Sequence, residues 1–103
     1  MNILFAGSPI SSAKVLDSLS NKAGLRIKAV ITQPDKRGKR GNKLVESQVA
    51  EKAKSLNIPL FKPTDLNDKY FKAELLSLDI EFLIVVAYGK LIPDWLIELP
   101  KIT

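Results

Sequence analysis

The chain has 103 residues, 46% hydrophobic and 26% charged, a balance typical of one small globular domain rather than of a disordered segment. It has no cysteine, which excludes disulfides and thiolate chemistry, and no histidine, the side chain most used for proton transfer near neutral pH. No apolar run approaches the ~20 residues of a membrane span, and no basic residue precedes the first apolar run. We therefore expect a cytoplasmic protein with no membrane partner and no metal site, since a zinc site of carboxylates alone would be unusual.

The positive charge is concentrated in one segment. Sixteen Lys and Arg against eleven Asp and Glu give a net charge of +5. Five of the basic residues fall within positions 36–43, which contain no acid: Lys36, Arg37, Lys39, Arg40 and Lys43. Composition alone favours a solvated charged loop, and a loop that neutralises nucleic-acid phosphates is the alternative. No aromatic residue is interleaved, so base stacking is not predicted there.

The first third of the chain reads as a strand, a turn and a helix. Asn2–Ala6 is apolar enough for a strand, and Gly7-Ser8-Pro9 follows as a tight turn. A helix is predicted to begin at Ser11 or Ser12 and to end near Asn21 or Gly24. The turn lacks the second and third glycines of a dinucleotide-binding fingerprint and the Gly-Lys-Ser/Thr of a P-loop, which favours a plain strand-to-helix connection.

The middle of the chain contains a second strand, a long loop and a second helix. Leu25–Thr32 alternates apolar and polar residues in its first half, as a strand does, with Ile27 and Ala29 among the apolar positions. Gln33–Val45 has no helix or strand pattern. A helix is predicted over Glu46–Leu56, and the prolines around Leu60-Phe61 restrict that segment to a short edge strand.

The last third is predicted to contain a helix, the most apolar strand and a short helix. Thr64 or Asp65 is expected to cap a helix that runs to about Leu78. Phe82–Ala87 is an unbroken apolar run, as in a parallel strand covered on both faces, and Asp94–Leu99 can form a short helix after Pro93. The two helices are expected to bury Leu66, Tyr70, Phe71, Leu75, Leu76, Trp95, Leu96 and Leu99.

This alternation predicts an α/β fold with a doubly wound, mostly parallel, Rossmann-like sheet. The usual order, third-second-first-fourth, places the first and fourth strands side by side. Gly7-Ser8-Pro9 would then lie next to residues 87–90, with the basic segment nearby. Because the fourth strand would keep an unpaired edge, we expect a sheet truncated after about four strands, in an N-terminal piece of a longer polypeptide.

Several segments together resemble the N-terminal part of the methionyl-tRNA formyltransferase family. They are LFAGSP at Leu4–Pro9, TQPD at Thr32–Asp35, KRGNKL at Lys39–Leu44, VVAYGKLIP at Val85–Pro93 and ELP at Glu98–Pro100. The resemblance spans essentially the whole chain, in order and at compatible spacing, and implies the formyltransferase fold. Sugar and glycinamide ribonucleotide formyltransferases share this fold but lack this form of basic loop.

The resemblance implies transfer of a formyl group from 10-formyltetrahydrofolate to the methionyl amine of initiator tRNA. It implies tRNA contact by the five basic residues above, and a substrate turn at Gly7, Ser8 and Pro9. The segment that lines the folate site corresponds to Tyr88, Gly89, Lys90, Leu91 and Ile92, with Lys90 where the family usually has leucine. Ile10 and Ser11 replace the acid and phenylalanine that usually follow the turn.

The resemblance also implies that the catalytic groups lie elsewhere. The catalytic Asn-x-His motif, the catalytic aspartate and the C-terminal tRNA-binding domain of the family are not among residues 1–103, so no catalytic residue is predicted here. The full-length protein is expected to be a monomer. Two alternatives remain open: a non-catalytic RNA-binding module that uses the basic loop, and a fragment of a sugar-nucleotide formyltransferase.

Overall fold

The computed structural model describes residues 1–37 and 43–100, in which strands and helices alternate. The elements are β1 (Asn2–Gly7), α1 (Ile10–Ser20), β2 (Arg26–Ile31), β3 (Lys36–Arg37), β4 (Leu44–Val45), α2 (Gln48–Ser55), β5 (Leu60–Phe61), α3 (Lys69–Leu76), β6 (Phe82–Val86) and α4 (Asp94–Glu98). The predicted strands and helices are all present, although most of them begin or end at slightly different residues.

Four strands form one sheet in the order β5-β2-β1-β6, and every pairing within it is parallel. This is the predicted third-second-first-fourth order, and it confirms the Rossmann-like α/β fold. β5 is the predicted short edge strand at one side. β3 and β4 form a separate antiparallel pair, which the sequence did not predict.

Helices cover both faces of the sheet, as a doubly wound fold requires. Successive side chains of a strand point to opposite faces. In β1, Phe5 packs in a cluster with residues of α1 and α2, whereas Leu4 and Ala6 pack with residues of α3 and α4. The two clusters bury an apolar core on each side of β1, so the first strand lies at the centre of the molecule.

β2 contains an irregularity that the sequence did not predict. Ile3 of β1 pairs with Ile27, but the next residue, Leu4, pairs with Ala29, so Lys28 is an extra residue. A bulge of this kind reverses the alternation of side chains. Ile27 therefore packs toward α1 and α2 while Ala29 is buried on the opposite face, although the sequence pattern places both on one face.

The starts of α1, α2 and α3 differ from the predicted ones, and only α2 and α3 have a side-chain cap. α1 begins one or two residues early, after Pro9, with no side-chain cap, and Ser12 lies inside the helix. α2 is capped by Ser47, whose Oγ accepts a hydrogen bond from the Ala50 N–H. α3 is capped by Asp68 rather than by Thr64 or Asp65, so it is shorter than predicted.

The prediction that α3 buries Tyr70 and Leu76 is wrong. Tyr70 is 70% exposed and Leu76 is 65% exposed, whereas Leu66, Phe71 and Leu75 are buried as expected. α3 has only eight residues, so one narrow face meets the sheet and the neighbouring positions point to solvent. In α4, Leu96 is buried, and Trp95 and Leu99 pack against the same cluster, which confirms the predicted inward face.

β6 is more exposed than its apolar sequence predicted. Within residues 1–37 and 43–100 it pairs only with β1, and Val85 is 45% exposed. Leu83 packs against the α3 and α4 cluster, and Ile84 and Val86 pack against the α1 and α2 cluster. Both faces of the strand are therefore covered, as predicted, although incompletely at Val85. Among the described residues β6 lies at the edge of the sheet opposite β5, which agrees with the unpaired edge predicted for the fourth strand.

Candidate functional site

The ends of β1 and β6 approach each other closely at Gly7. A Cβ atom added there would lie 2.7 Å from the Val86 carbonyl oxygen and 2.8 Å from the Ser12 Cβ. Separations this short require the backbone to shift. The Ser12 hydroxyl, buried within α1, donates a hydrogen bond to that same carbonyl. Gly7 thus permits the contact that holds the first turn of α1 against the end of β6.

Ser8 and Gln33 join the ends of three strands around one carbonyl group. The Ser8 hydroxyl donates to the Tyr88 carbonyl oxygen at 3.1 Å, and the Gln33 side-chain amide donates to the same oxygen at 3.0 Å. The Gln33 backbone N–H donates to the Ser8 Oγ at 3.3 Å. The predicted neighbourhood of the Gly7-Ser8-Pro9 turn and the residue 87–90 segment is confirmed.

A chain of hydroxyl groups extends from this carbonyl to the start of α2. Thr32, which is fully buried, lies 2.5 Å from the Ser47 Oγ and 3.4 Å from the Ser8 Oγ through its own Oγ1. Each hydroxyl has one proton to donate. Because Ser8 uses its proton on the Tyr88 carbonyl, it can only accept in the long contact with Thr32. In the short contact between Thr32 and Ser47 either hydroxyl can donate.

The backbone after β6 follows a path that few residue types adopt. Ala87 has a φ of 51° and Gly89 a φ of 96°, both in the left-handed region. A side chain on Gly89 would also meet the Gln33 amide nitrogen, 2.6 Å from an added Cβ. The reversal turns the Tyr88 ring into the core formed with α3 and α4 and leaves its carbonyl to bind Ser8 and Gln33.

The Tyr88 phenol is therefore a core group. The side chain is buried, and its hydroxyl has no hydrogen-bond partner among residues 1–37 and 43–100. Burial raises the pKa of this phenol above its usual range, because the anion would lose its hydration. The phenol is thus held neutral near physiological pH.

The turn after β1, the segment after β6 and the start of the basic segment line one open cavity of about 500 Å³. Its walls are the ends of β1, β2 and β6, the β3 strand and the first residues of α2. Of the candidate site residues in the described ranges, those that line it are Ser8, Pro9, Lys36, Arg37, Tyr88 and Gly89. Gly7 is buried and does not line the cavity; its lack of a side chain allows the close approach of Val86 and Ser12.

The remaining candidates for the folate site lie away from the cavity. Lys90 is exposed, and its ammonium reaches the Thr64 carbonyl oxygen at 3.4 Å. Leu91 is 94% exposed. Ile92 packs against the α3 and α4 cluster. The structure therefore separates Tyr88 and Gly89 from the three residues that follow them.

The basic segment begins and ends in an antiparallel pair. Lys36 pairs with Val45, and Arg37 pairs with Leu44. All four residues are exposed, as is Lys43. Lys39 and Arg40 lie outside the described residues. The prediction that residues 33–45 contain no regular structure is wrong at these two pairs, which bring the two ends of the segment together beside the cavity.

An ion-pair network lies at the base of this β3-β4 pair. The Lys62 ammonium is 2.7 Å from Asp35 Oδ1 and 3.9 Å from Glu46 Oε1. Glu46 also binds Lys54, and this contact raises the pKa of the Lys54 ammonium. Asp35 immediately precedes β3 and Glu46 immediately follows β4, so both ends of the basic segment are attached to the body of the protein.

Sequence reasoning missed Thr32, Gln33, Ser47 and Lys62. Thr32 and Gln33 follow a parallel strand directly, and that position at a sheet edge is a signal that could have identified them. Lys62 carries no signal, because its partners are 16 and 27 positions away in the sequence.

In residues 1–37 and 43–100 the acidic side chains form no group of three or more that could hold a metal ion. Within the same ranges, no helix is both long enough and apolar enough to cross a membrane.

Comparison with known proteins places these features in a family. The sequence profile described as formyl transferase matches residues 1–103. The methionyl-tRNA formyltransferase of Prochlorococcus marinus subsp. pastoris is 44% identical over 102 residues, covering 98% of this chain and 31% of that protein. Its counterpart in Stutzerimonas stutzeri is 40% identical, covering 99% of this chain and 32% of that protein.

The chain thus spans about a third of the length of the curated relatives it matches. A third relative, the methionyl-tRNA formyltransferase of Buchnera aphidicola subsp. Schizaphis graminum, is 39% identical over 102 residues, with 32% of its length covered. The profile match includes every strand and helix described above. The chain belongs to the formyl transferase family.

Proposed function

We propose that this chain is the N-terminal portion of the catalytic domain of a methionyl-tRNA formyltransferase, acting in the cytoplasm in translation initiation. The rest of that domain and a tRNA-binding domain would complete a protein that we propose is a monomer. The single observation that carries the proposal is the placement of Lys36 and Arg37 on the same cavity as Ser8 and Gly89. A phosphate-binding segment and a small-molecule site next to each other suit a substrate that is part RNA and part amino acid.

The proposed reaction transfers a formyl group from 10-formyltetrahydrofolate to the amine of initiator methionyl-tRNA. The amine lone pair attacks the formyl carbon, the bond from that carbon to N10 of the folate breaks, and the amine proton is transferred to N10. Groups that stabilise the developing oxyanion lower the barrier of such a step. Residues 1–103 have no histidine, so the proposed role of this portion is binding rather than proton transfer.

Each candidate residue has a proposed role. Lys36, Arg37, Lys39, Arg40 and Lys43 would neutralise phosphates of the tRNA acceptor arm. Gly7, Ser8 and Pro9 would form the floor beside the methionyl end. In the folate segment of Tyr88, Gly89, Lys90, Leu91 and Ile92, the exposed backbone around Gly89 is the part that lines the cavity.

The test compares two pairs of lysines in the full-length protein. Lys36→Ala with Lys43→Ala removes two cations of the basic segment, and Lys14→Ala with Lys22→Ala removes two exposed cations on and after α1. Removing one phosphate contact should lower the slope of log affinity against log salt by about 1. We expect the first pair to weaken tRNA binding with a shallower salt slope, and the second pair to have little effect.

Formyl transfer to methionyl-tRNA by the unmodified full-length protein is the accompanying assay. RNA binding without formyl transfer would support the non-catalytic RNA-binding module instead. Transfer to the amine of a nucleotide sugar, with none to methionyl-tRNA, would support the sugar-nucleotide formyltransferase. Equal salt slopes for the two lysine pairs would remove the proposed role of the basic segment.

A further inference from the structure

The β3-β4 pair at the base of the basic segment has little intrinsic stability. It contains two residue pairs, Lys36 with Val45 and Arg37 with Leu44, and all four residues are exposed. A two-stranded ribbon without a buried face is marginal at best in water. Something outside the ladder must therefore hold these two strands together.

The residues that continue the ladder toward the protein body are both acidic. Extending the register from Lys36 and Val45 by one position places Asp35 opposite Glu46. Like charges directly opposite each other on paired strands are destabilising. By themselves, these two carboxylates would push the ends of the basic segment apart.

The Lys62 ammonium compensates this repulsion. It contacts Asp35 at 2.7 Å and Glu46 at 3.9 Å, and it comes from the residue that follows β5, an edge strand of the main sheet. The three side chains are only 26% or 27% exposed. Charge pairs that are partly shielded from water interact more strongly than fully exposed pairs.

We infer that Lys62 is a positioning residue for RNA binding, because it holds Asp35 and Glu46 together and so fixes both ends of the basic segment on the rim of the cavity. This inference rests on the proposed function, since it concerns the same RNA-contacting segment. Lys62 acts through the two carboxylates and needs no contact with RNA. Its ammonium contacts carboxylates, whereas the phosphate-binding cations would contact RNA, which allows the two roles to be separated.

The decisive variant is Asp35→Asn, because it changes net charge and positioning in opposite directions. The substitution makes the protein more positive by one charge, so attraction to RNA alone predicts tighter tRNA binding. The substitution also removes the repulsion between Asp35 and Glu46, so weaker binding can come only from the weakened ion pair with Lys62. We expect the KM for methionyl-tRNA to rise about threefold, with kcat unchanged.

Three further variants of the full-length protein complete the series. Lys62→Met keeps the aliphatic stem but leaves Asp35 facing Glu46 with only Lys54 to offset their charge, and it should raise KM by about fivefold. Lys62→Arg should restore binding. The double variant Lys62→Met with Asp35→Asn has the net charge of the unmodified protein, and it should still bind more weakly. Lys52→Met is the matched control, because Lys52 contacts only Asp17, at 3.7 Å, among the ion pairs of the described residues.

Hydrogen exchange without RNA tests the positioning separately. Amides of residues 36–37 and 44–45 should exchange about threefold to fivefold faster in Lys62→Met than in Lys52→Met. Equal exchange in these two variants, or tighter tRNA binding by Asp35→Asn, would overturn the inference. Faster exchange with unchanged tRNA binding would also overturn the role in RNA binding. The proposed function would fail in a different way, by showing no effect of Lys36→Ala with Lys43→Ala.

Discussion

Replacing Thr32 with valine exchanges a buried hydroxyl for a methyl group while keeping the side-chain shape. The Thr32 Oγ1 lies in the middle of the hydroxyl chain, 2.5 Å from the Ser47 Oγ and 3.4 Å from the Ser8 Oγ. Valine removes both hydrogen bonds. Ser8 retains its bonds to the Tyr88 carbonyl and the Gln33 N–H, whereas the Ser47 hydroxyl loses its partner at 2.5 Å.

The expected cost follows from these two changes. A net hydrogen bond contributes roughly 1 kcal/mol, and a donor left unsatisfied in a buried site costs about 1–3 kcal/mol. The 3.4 Å contact with Ser8 is long and contributes little. Ser47 is only half-buried, which puts its penalty at the lower end. We therefore expect Thr32→Val to lower the free energy of unfolding by about 2 kcal/mol.

Urea unfolding measures this difference, with Ser55→Ala as the matched control. Ser55 also has a hydrogen-bonded hydroxyl, donating to the Lys52 carbonyl oxygen at 2.8 Å, but it is exposed. Its removal should cost less than ~0.5 kcal/mol. Thr32→Ser keeps the hydroxyl and should cost only about 1 kcal/mol, for the missing methyl group. A Thr32→Val protein as stable as Ser55→Ala would refute the assigned hydroxyl chain.

Two further substitutions test the packing around the site by urea unfolding. Gly7→Ala forces a Cβ to within 2.8 Å of two neighbours and should lower the free energy of unfolding by about 3 kcal/mol. The control Gly24→Ala has open space and a φ of 85°, so it should lower the free energy of unfolding by only ~1 kcal/mol. Equal losses of stability in the two variants would contradict the steric argument. Tyr88→Phe removes a buried hydroxyl without a partner in the described residues and should raise stability by roughly 1 kcal/mol at neutral pH. Burial raises the pKa of the Tyr88 phenol in the folded state. Below pH ~10 the phenol is neutral in both the folded and the unfolded protein, so the stability of the unmodified protein does not depend on its titration. As the pH rises above ~10 toward the raised pKa, the unfolded protein loses this proton first, and the stability falls. The Tyr88→Phe protein should lose less stability on the same titration, and identical pH profiles would exclude this origin of the alkaline loss.

The sheet could be predicted from the sequence because its signals are local. Apolar runs and glycine or proline breaks identified β1, β2, β5 and β6, and the usual order of a doubly wound sheet gave their arrangement. The same signals placed Ser8 beside Tyr88, a contact now seen at 3.1 Å between the Ser8 Oγ and the Tyr88 carbonyl oxygen.

Errors in the prediction occurred where neighbours, rather than periodicity, decide the outcome. Tyr70 and Leu76 lie at helical spacing from buried residues, but the short α3 leaves no partner surface for them among the described residues. Lys28 forms a bulge that depends on the pairing partner in β1. Residues 90–92 continue a segment that lines the cavity, but the left-handed turn at Ala87 and Gly89 directs them elsewhere.

The sequence by itself determined the α/β class and the position of the basic segment, because both depend on residue types within a few positions. The strand order then followed from the usual order of a doubly wound sheet. Only the tertiary structure decided that Lys62 joins Asp35 to Glu46, that Thr32 links Ser47 to Ser8, and that the Tyr88 ring lies in the core. These contacts join residues 15 to 27 positions apart, or depend on backbone angles that a pattern does not specify. Side-chain periodicity reports which face a residue occupies on its own element, whereas a hydrogen bond or ion pair requires the positions of two elements at once.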